Sequence, residues 1–218
     1  MRSRSRAQDQ RLRFWNQVVY SALAPIYNGL DWLTFGVWWR LVRRALEAIP
    51  PNQQVLEIGF GPGKLHVELA RQAALCAGLD LAWGMCRYTQ RRLIHADLPV
   101  RITRGSVYEL PYPNVAFDCV VSTFAFSGFP EGPRALAEMA RVTRSGGRVV
   151  LVDIGLPEDG NRLGTGLARL WEQMGDFLYD LPAMMAEAGL RVITFKEYGP
   201  GRHIRLVVAE KTGSQNFL

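Results

Sequence analysis

The stretch from Val55 to Leu65 reads VLEIGFGPGKL. Val55, Leu56, Glu57 and Ile58 make a short apolar strand carrying one acid, and Gly59, Gly61 and Gly63 let the backbone turn tightly beneath a ligand. A helix is expected directly afterwards, its free N–H groups joining those of the loop in a positive concavity suited to a carboxylate or phosphate. Three ligand classes use such turns, and spacing separates them. A phosphate-binding loop needs GxxxxGK followed by Ser or Thr, whereas Gly63-Lys64 is followed by Leu65 and no glycine stands five residues before Gly63. A dinucleotide fingerprint needs GxGxxG, and counting from Gly59 its third glycine position is Lys64, which opposes close helix–strand packing. The pattern that remains is ExGxGxG.

Moving outward, Leu69, Ala73 and Leu75 give Leu65 to Ala77 a helical spacing, and Ala77 to Leu81 reads as a second strand. Near its end Asp80 lies 21 residues after Gly59, placed to accept both hydroxyls of a ribose, each charge-assisted bond worth about 1.5–3 kcal/mol. The same carboxylate could instead cap the helix expected over Trp83 to His95. Leu81 and Met85 then stand as adenine contacts, and Arg87, Arg91 and Arg92 as a solvated face. Val100 to Thr103 and Phe117 to Ser122 read as strands three and four. The loop from Thr123 to Phe129 is expected to cross the ligand, because ligands sit at the carboxyl ends of parallel strands. Ala137 to Asp153 reads as a helix stopped by Ser145-Gly146-Gly147 and followed by a buried strand. Helical stretches around Leu167 to Gly175 and Leu181 to Ala188 precede an antiparallel hairpin, Val192 to Tyr198 and Arg202 to Lys211, turning at Gly199-Pro200-Gly201.

ExGxGxG closely resembles the first motif of the class I S-adenosylmethionine (SAM)-dependent methyltransferases. Gly105-Ser106-Val107 with Glu109-Leu110-Pro111-Tyr112 resembles that family's GDAExLPF, with Ser106 in place of the aspartate; a hydroxyl still accepts a hydrogen bond, without charge. The segment AEMARVTRSGGRVVLVD resembles ExxRVLKPGGxLxxxD, departing at Thr143, Arg144 and Ser145. SALAPIYNGLDWLTFGVWWR resembles the entry region of the ubiquinone/menaquinone C-methyltransferases. The resemblance covers roughly residues 20 to 211. It implies a three-layer, Rossmann-like α/β fold with a mostly parallel seven-stranded sheet in the order 3-2-1-4-5-7-6, strand seven antiparallel. It also implies SAM as cofactor, with S-adenosylhomocysteine as its product. Gly59, Gly61 and Gly63 would approach the methionine part, Glu57 would orient its amino group directly or through water, Asp80 would hold the ribose, and Ser106 and Val107 would border the adenine. Thr123 would lie against the cofactor. Tyr27 is the foremost lid residue, followed by Asn28, Asp31 and Arg40.

Composition sets the limits. The chain has 218 residues, 48% of them hydrophobic, enough for one domain and its core. The expected division is a basic arm and aromatic-rich helical lid over 1–49, the SAM-binding domain over 50–212 and a loose tail over 213–218. Net charge is +6, of which residues 1–13, with five Arg and one Asp, contribute +4. That arm suits an acidic membrane surface better than nucleic acid, for which no binding motif is visible. Three cysteines without CxxC spacing indicate neither a disulfide framework nor a zinc site, and a reducing, cytoplasmic setting is expected. The rings of Phe14, Trp15, Tyr20, Tyr27, Trp32, Phe35, Trp38 and Trp39, with Phe126, Phe129, Trp171, Met174 and Phe177 on acceptor-side loops, favour a small, apolar, quinone-like or phenolic acceptor. Two alternatives stand beside it, methylation of a lipid head-group amine and a non-catalytic SAM-binding assembly partner. Positioning suffices for an in-line displacement, and His66, His95 and His203 read as packing or surface residues, so no catalytic base is nominated.

Overall fold

Short runs of Val, Leu and Ile, apolar on both faces, build the centre of one seven-stranded sheet in a computed structural model that describes residues 37–213. In chain order the elements are α1 (Val37–Glu47), β1 (Gln54–Ile58), α2 (Lys64–Gln72), β2 (Leu75–Asp80), α3 (Trp83–His95), β3 (Ile102–Arg104) and β4 (Phe117–Thr123). A 3₁₀ turn (Phe126–Gly128) follows, then α4 (Gly132–Val142), β5 (Thr143–Ile154), α5 (Arg162–Met174), α6 (Leu181–Glu187), β6 (Leu190–Tyr198) and β7 (Ile204–Lys211). The strand order is β3-β2-β1-β4-β5-β7-β6, parallel through β5, with β7 antiparallel to both neighbours. Fold class, strand order and hairpin agree with the sequence reading.

Alternation along β1 sends its side chains into two cores. Val55 shares one with Leu41 and Ala45 of α1 and Leu65 and Leu69 of α2. Leu56 and Ile58 share the other with Leu136 and Met139 of α4 and Leu181 and Met185 of α6. Each of the buried Val, Leu, Ile and Met side chains contributes about 1.5–3 kcal/mol. The last part of the 1–49 segment is therefore a packed layer, with Leu41, Ala45 and Ile49 buried and Arg40 exposed. Tyr27, Asn28, Asp31 and the remaining entry rings lie outside the described residues. No helix among the described residues is long and apolar enough to cross a membrane.

Two boundaries differ from expectation for local reasons. The first helix after the glycine loop ends at Gln72, not Ala77, because Ala73 turns extended (ψ 150°) and the N–H of Ala74 donates to Gln53 O at 3.0 Å, opening the β1–β2 ladder early. The fourth helix stops at Val142, before the glycines expected to stop it. Thr143 is already extended, pairs with Phe117, and returns its hydroxyl to Met139 O at 2.7 Å. Ser145-Gly146-Gly147 instead lies inside β5, where the register against β4 shifts between Phe117 and Cys119 and Gly146 takes φ +71°.

Candidate cofactor site

The parallel strands bring the ends of β1, β2 and β3 and of β4 and β5 to one edge, and the glycine loop lies over the first of them. Gly59 donates its N–H to Leu79 O at 2.7 Å, tying the loop to β2. Its φ is +68°, and a Cβ there would stand 2.5 Å from Ala125 Cβ, on the loop after β4. Gly63, at φ +73°, is equally confined: a Cβ would meet Thr89 of α3 at 2.5 Å. Gly61 differs from both, since nothing lies within 4 Å of where its Cβ would be. Backbone thus borders open space at Gly61, which is what a ligand pressed against main chain requires.

Asp80 closes one side of this cradle. One carboxylate oxygen accepts the Gly61 N–H at 2.9 Å and the other accepts the Ala82 N–H at 2.8 Å. The second bond is a local turn onto Ala82, the N-cap of α3, which has no side-chain cap hydrogen bond, so Asp80 does not cap that helix as the alternative above expected; the first reaches across to the loop, and each oxygen retains a lone pair for a hydroxyl. Burial raises the carboxyl above its usual range while these N–H donors lower it. Leu81 is exposed, whereas Met85 is buried against Phe60 and Ala82. Beyond β3, the hydroxyl of Ser106 accepts the Tyr108 N–H at 3.3 Å, and Val107 buries its side chain in the α4/α6 core, leaving its backbone to meet a ligand. Thr123 ends β4, half-buried, next to Phe124 at φ +50°.

Glu57 is sealed, with Oε2 2.9 Å from Nδ1 of a fully buried His66. Burial raises its carboxyl and His66 opposes that shift. His66 is therefore a packing residue, one ring atom of which would collide with any Cβ at Gly78 (2.7 Å). Phe126 is also core, fully buried edge-on to Phe129 and Tyr179, which removes it from the acceptor-side residues. Phe129, Phe177, Trp171 and Met174 remain partly or wholly exposed.

Thr89 was not singled out in the sequence. Fully buried on α3, it donates its hydroxyl to Gly61 O at 2.9 Å while its methyl packs on Gly63. A Thr before the last turn of an otherwise Arg-rich helix carries no pattern that marks it. Thr89→Val keeps the shape and leaves Gly61 O unpaired; a stability loss of about 1–2 kcal/mol is expected in urea unfolding, with S-adenosylhomocysteine affinity reduced several-fold in calorimetry.

A further buried acid, Asp153, stands at the end of β5, its carboxyl pushed up to about 6 by burial although Ser127 and Ile154 donate to it. The folded protein then holds a proton between about pH 4 and 6 that the unfolded chain releases. Its contribution is fully present below the unfolded value and is lost as pH rises through about 6, a change of about 3 kcal/mol. Urea unfolding at pH 4.5 and 7 crosses about 1.5 pH units of this span and is expected to show a fall of about 2 kcal/mol in wild type that Asp153→Asn lacks.

Sequence and structure comparisons extend these observations. Residues 56–151 match the methyltransferase domain family. Demethylmenaquinone methyltransferase of Thermus thermophilus is 34% identical over 149 residues, 65% of this chain and 67% of that protein. The Deinococcus radiodurans enzyme of the same name is 32% identical, the match covering 66% of this chain and 62% of the relative. The ubiquinone/menaquinone biosynthesis C-methyltransferase UbiE of Geobacter sulfurreducens is 27% identical over 91% of this chain and 75% of its own length. Among solved structures, a SAM-dependent methyltransferase of Thermotoga maritima superposes with TM-score 0.71 at 17% identity, covering 89% of this chain and 99% of that one, a likeness of fold. The fold and the relatives together make the chain a member of the class I SAM-dependent methyltransferases. Within that class it stands close to the demethylmenaquinone and ubiquinone/menaquinone C-methyltransferases, and it spans about half to two thirds of the first of these curated relatives.

Proposed function

We propose that this protein transfers a methyl group from SAM to a small apolar ring acceptor of the quinone-like or phenolic kind. The reading rests most on Asp80, whose carboxylate joins the end of β2 to the N–H of Gly61 beside open space. A charged acceptor of two hydroxyls next to bare backbone suits a nucleoside with a zwitterionic tail, and the residues present fit SAM. When bound, SAM supplies an electrophilic methyl group on a sulfonium that leaves as a neutral thioether. The chain's own part is to hold and orient. Gly59, Gly61 and Gly63 bring main chain to the methionine portion, Asp80 takes the ribose hydroxyls, and Leu81 and Met85 flank the adenine. The backbone beside Ser106 and Val107 borders the ring edge, Glu57 stiffens the base of the loop, and Thr123 lies toward the methyl side.

Orientation of two reactants in this way removes up to about 7–11 kcal/mol of a barrier. The acceptor class follows from the relatives, whose names specify demethylmenaquinone and ubiquinone/menaquinone, and from the apolar side chains of Phe129, Phe177, Trp171 and Met174 around the loops after β4 and α5. Contact of the basic arm with an acidic membrane surface would suit an acceptor that partitions into lipid. Calorimetric titration with S-adenosylhomocysteine, with NADH as comparator, tests the cofactor. Micromolar binding of the first alone is expected; binding of NADH instead would return the chain to the dinucleotide class.

A further inference from the structure

The arginines of α3 are held differently from those of the other helices. α1, α2, α4 and α5 each set an arginine against a glutamate three residues away: Arg44 with Glu47, Arg71 with Glu68, Arg141 with Glu138 and Arg169 with Glu172, at 2.6–2.8 Å. On α3, Arg87 and Arg91 are exposed, and neither forms an ion pair among the described residues. Arg101, just before β3, and Arg104, its last residue, carry the same charge onto the neighbouring strand. Residues 81–104 hold five Arg and one Asp, a net +4. With the +4 of residues 1–13 this exceeds the +6 of the whole chain, so everything else is net −2 and the positive charge is concentrated in two places.

Large apolar side chains stand in the same surface. Positions 83, 87, 91 and 94 follow one another down a single face of α3. Trp83 at its start is 54% exposed and Ile94 near its end 60%, about 17 Å apart along the axis. Arg87 lies over the Trp83 ring at 4.6 Å, which holds guanidinium and indole together at the surface. β3 is the outermost strand on this side of the sheet, and its Ile102 packs with Met85 and Phe60, so strand and helix form one continuous end wall. Arg104 Nε donates to Leu81 O at 3.2 Å, tying the end of the strand to the start of α3, and the exposed Val100 adds to the apolar border.

We propose that this end wall docks on a bilayer of anionic phospholipids, its arginines meeting lipid phosphates while Trp83 and Ile94 enter the zone between headgroups and acyl chains. Charge complementarity selects an anionic partner, and each arginine brought to such a surface strengthens the binding. The apolar residues select lipid among anionic partners. Trp is well matched to the headgroup boundary, and an aliphatic Ile beside arginines gains by leaving water there. A single-stranded nucleic acid would instead need open ring faces on which to stack its bases, and here Arg87 covers Trp83 while Arg92 lies over Tyr88 at 5.2 Å. The wall is separate from the basic arm over 1–13, and two weak anchors on one chain hold a membrane far more firmly than either does. Because α3 starts just beyond the end of β2, docking through Trp83 brings the cofactor edge close to the lipid. The docking does not depend on which acceptor is methylated.

The test is flotation of the full-length chain with vesicles of phosphatidylcholine alone and with vesicles in which about a third of the lipid is phosphatidylglycerol, joined to quenching of tryptophan fluorescence by lipids brominated in their acyl chains. Wild type is expected to float with the anionic vesicles only and to be largely released at about 0.5 M NaCl. The double variant Arg87→Gln/Arg91→Gln should lower the partition coefficient by about 10–30-fold, each arginine being worth roughly a factor of five, with the melting temperature of wild type. Trp83→Phe should still float but lose part of the quenching. Replacing the five arginines of the arm by Gln should weaken flotation and leave the Trp83-dependent quenching in the protein that remains bound. Flotation unaltered in the double variant, or quenching equal in wild type and Trp83→Phe, overturns the proposal. So does a protein that ignores anionic vesicles, whether it binds nothing or instead shifts the anisotropy of labelled polyuridylate in a manner that the double variant loses, which would give the wall to nucleic acid.

Discussion

Gly59→Ala is expected to abolish measurable S-adenosylhomocysteine binding and to lower the melting temperature by about 10 °C. Two costs add. A side chain at φ +68° costs about 1–2 kcal/mol, and a Cβ 2.5 Å from Ala125 Cβ must push apart two backbones, costing about 1–3 kcal/mol more. For a domain of this size each kcal/mol moves the midpoint by about 2–4 °C. Gly61→Ala carries the same backbone cost of about 1–2 kcal/mol at φ +51° but no contact cost, because its Cβ would meet nothing within 4 Å. It should lower the melting temperature by clearly less than Gly59→Ala and still lose binding by tenfold or more. Differential scanning fluorimetry with calorimetry reads both, and equal effects at the two positions would mean that the space at Gly61 receives no ligand.

Asp80→Asn is expected to weaken S-adenosylhomocysteine by about 10–100-fold, the equivalent of one lost charge-assisted hydrogen-bonding partner. The amide also turns an NH₂ toward either Gly61 N or Ala82 N, donors that the carboxylate accepts at 2.9 and 2.8 Å. The pH dependence gives a second readout. Because burial holds the Asp80 carboxyl above its ordinary range, wild-type affinity should fall on acidification as this group takes up its proton, whereas the Asn variant should follow no such curve. Affinity unaltered by the substitution at neutral pH would remove Asp80 from the ligand.

The elements legible in the sequence were those whose chemistry is local. Glycines at fixed offsets after four apolar residues announce a strand and a turn, and Gly199-Pro200-Gly201 between two alternating runs announces a hairpin. Asp80 could be placed because its distance from the loop is set by one helix and one strand. Thr89 and Ser127 could not, since each meets a hydrogen-bond partner 28 or 26 residues away that only folding brings near. Glu57 shows the converse: its place in the motif was plain, yet the neighbour that occupies it, His66, depends on the rotation of α2 about its axis. The Ser145-Gly146-Gly147 segment misled for a related reason. Glycines stop helices and also kink strands, and the early pairing of Thr143 with Phe117 decided which.

The direction of β7 has a practical corollary. Running against β5, it carries the chain from the edge where the glycine loop sits down to the opposite edge, where the Lys211 ammonium donates to Ala140 O and Thr143 O at 2.7 and 2.8 Å and Gly213 passes beside Ser145. A handle joined beyond Gly213 therefore departs from the foot of the sheet, so the protein can be tethered to a sensor surface with its cofactor cradle turned toward the solution.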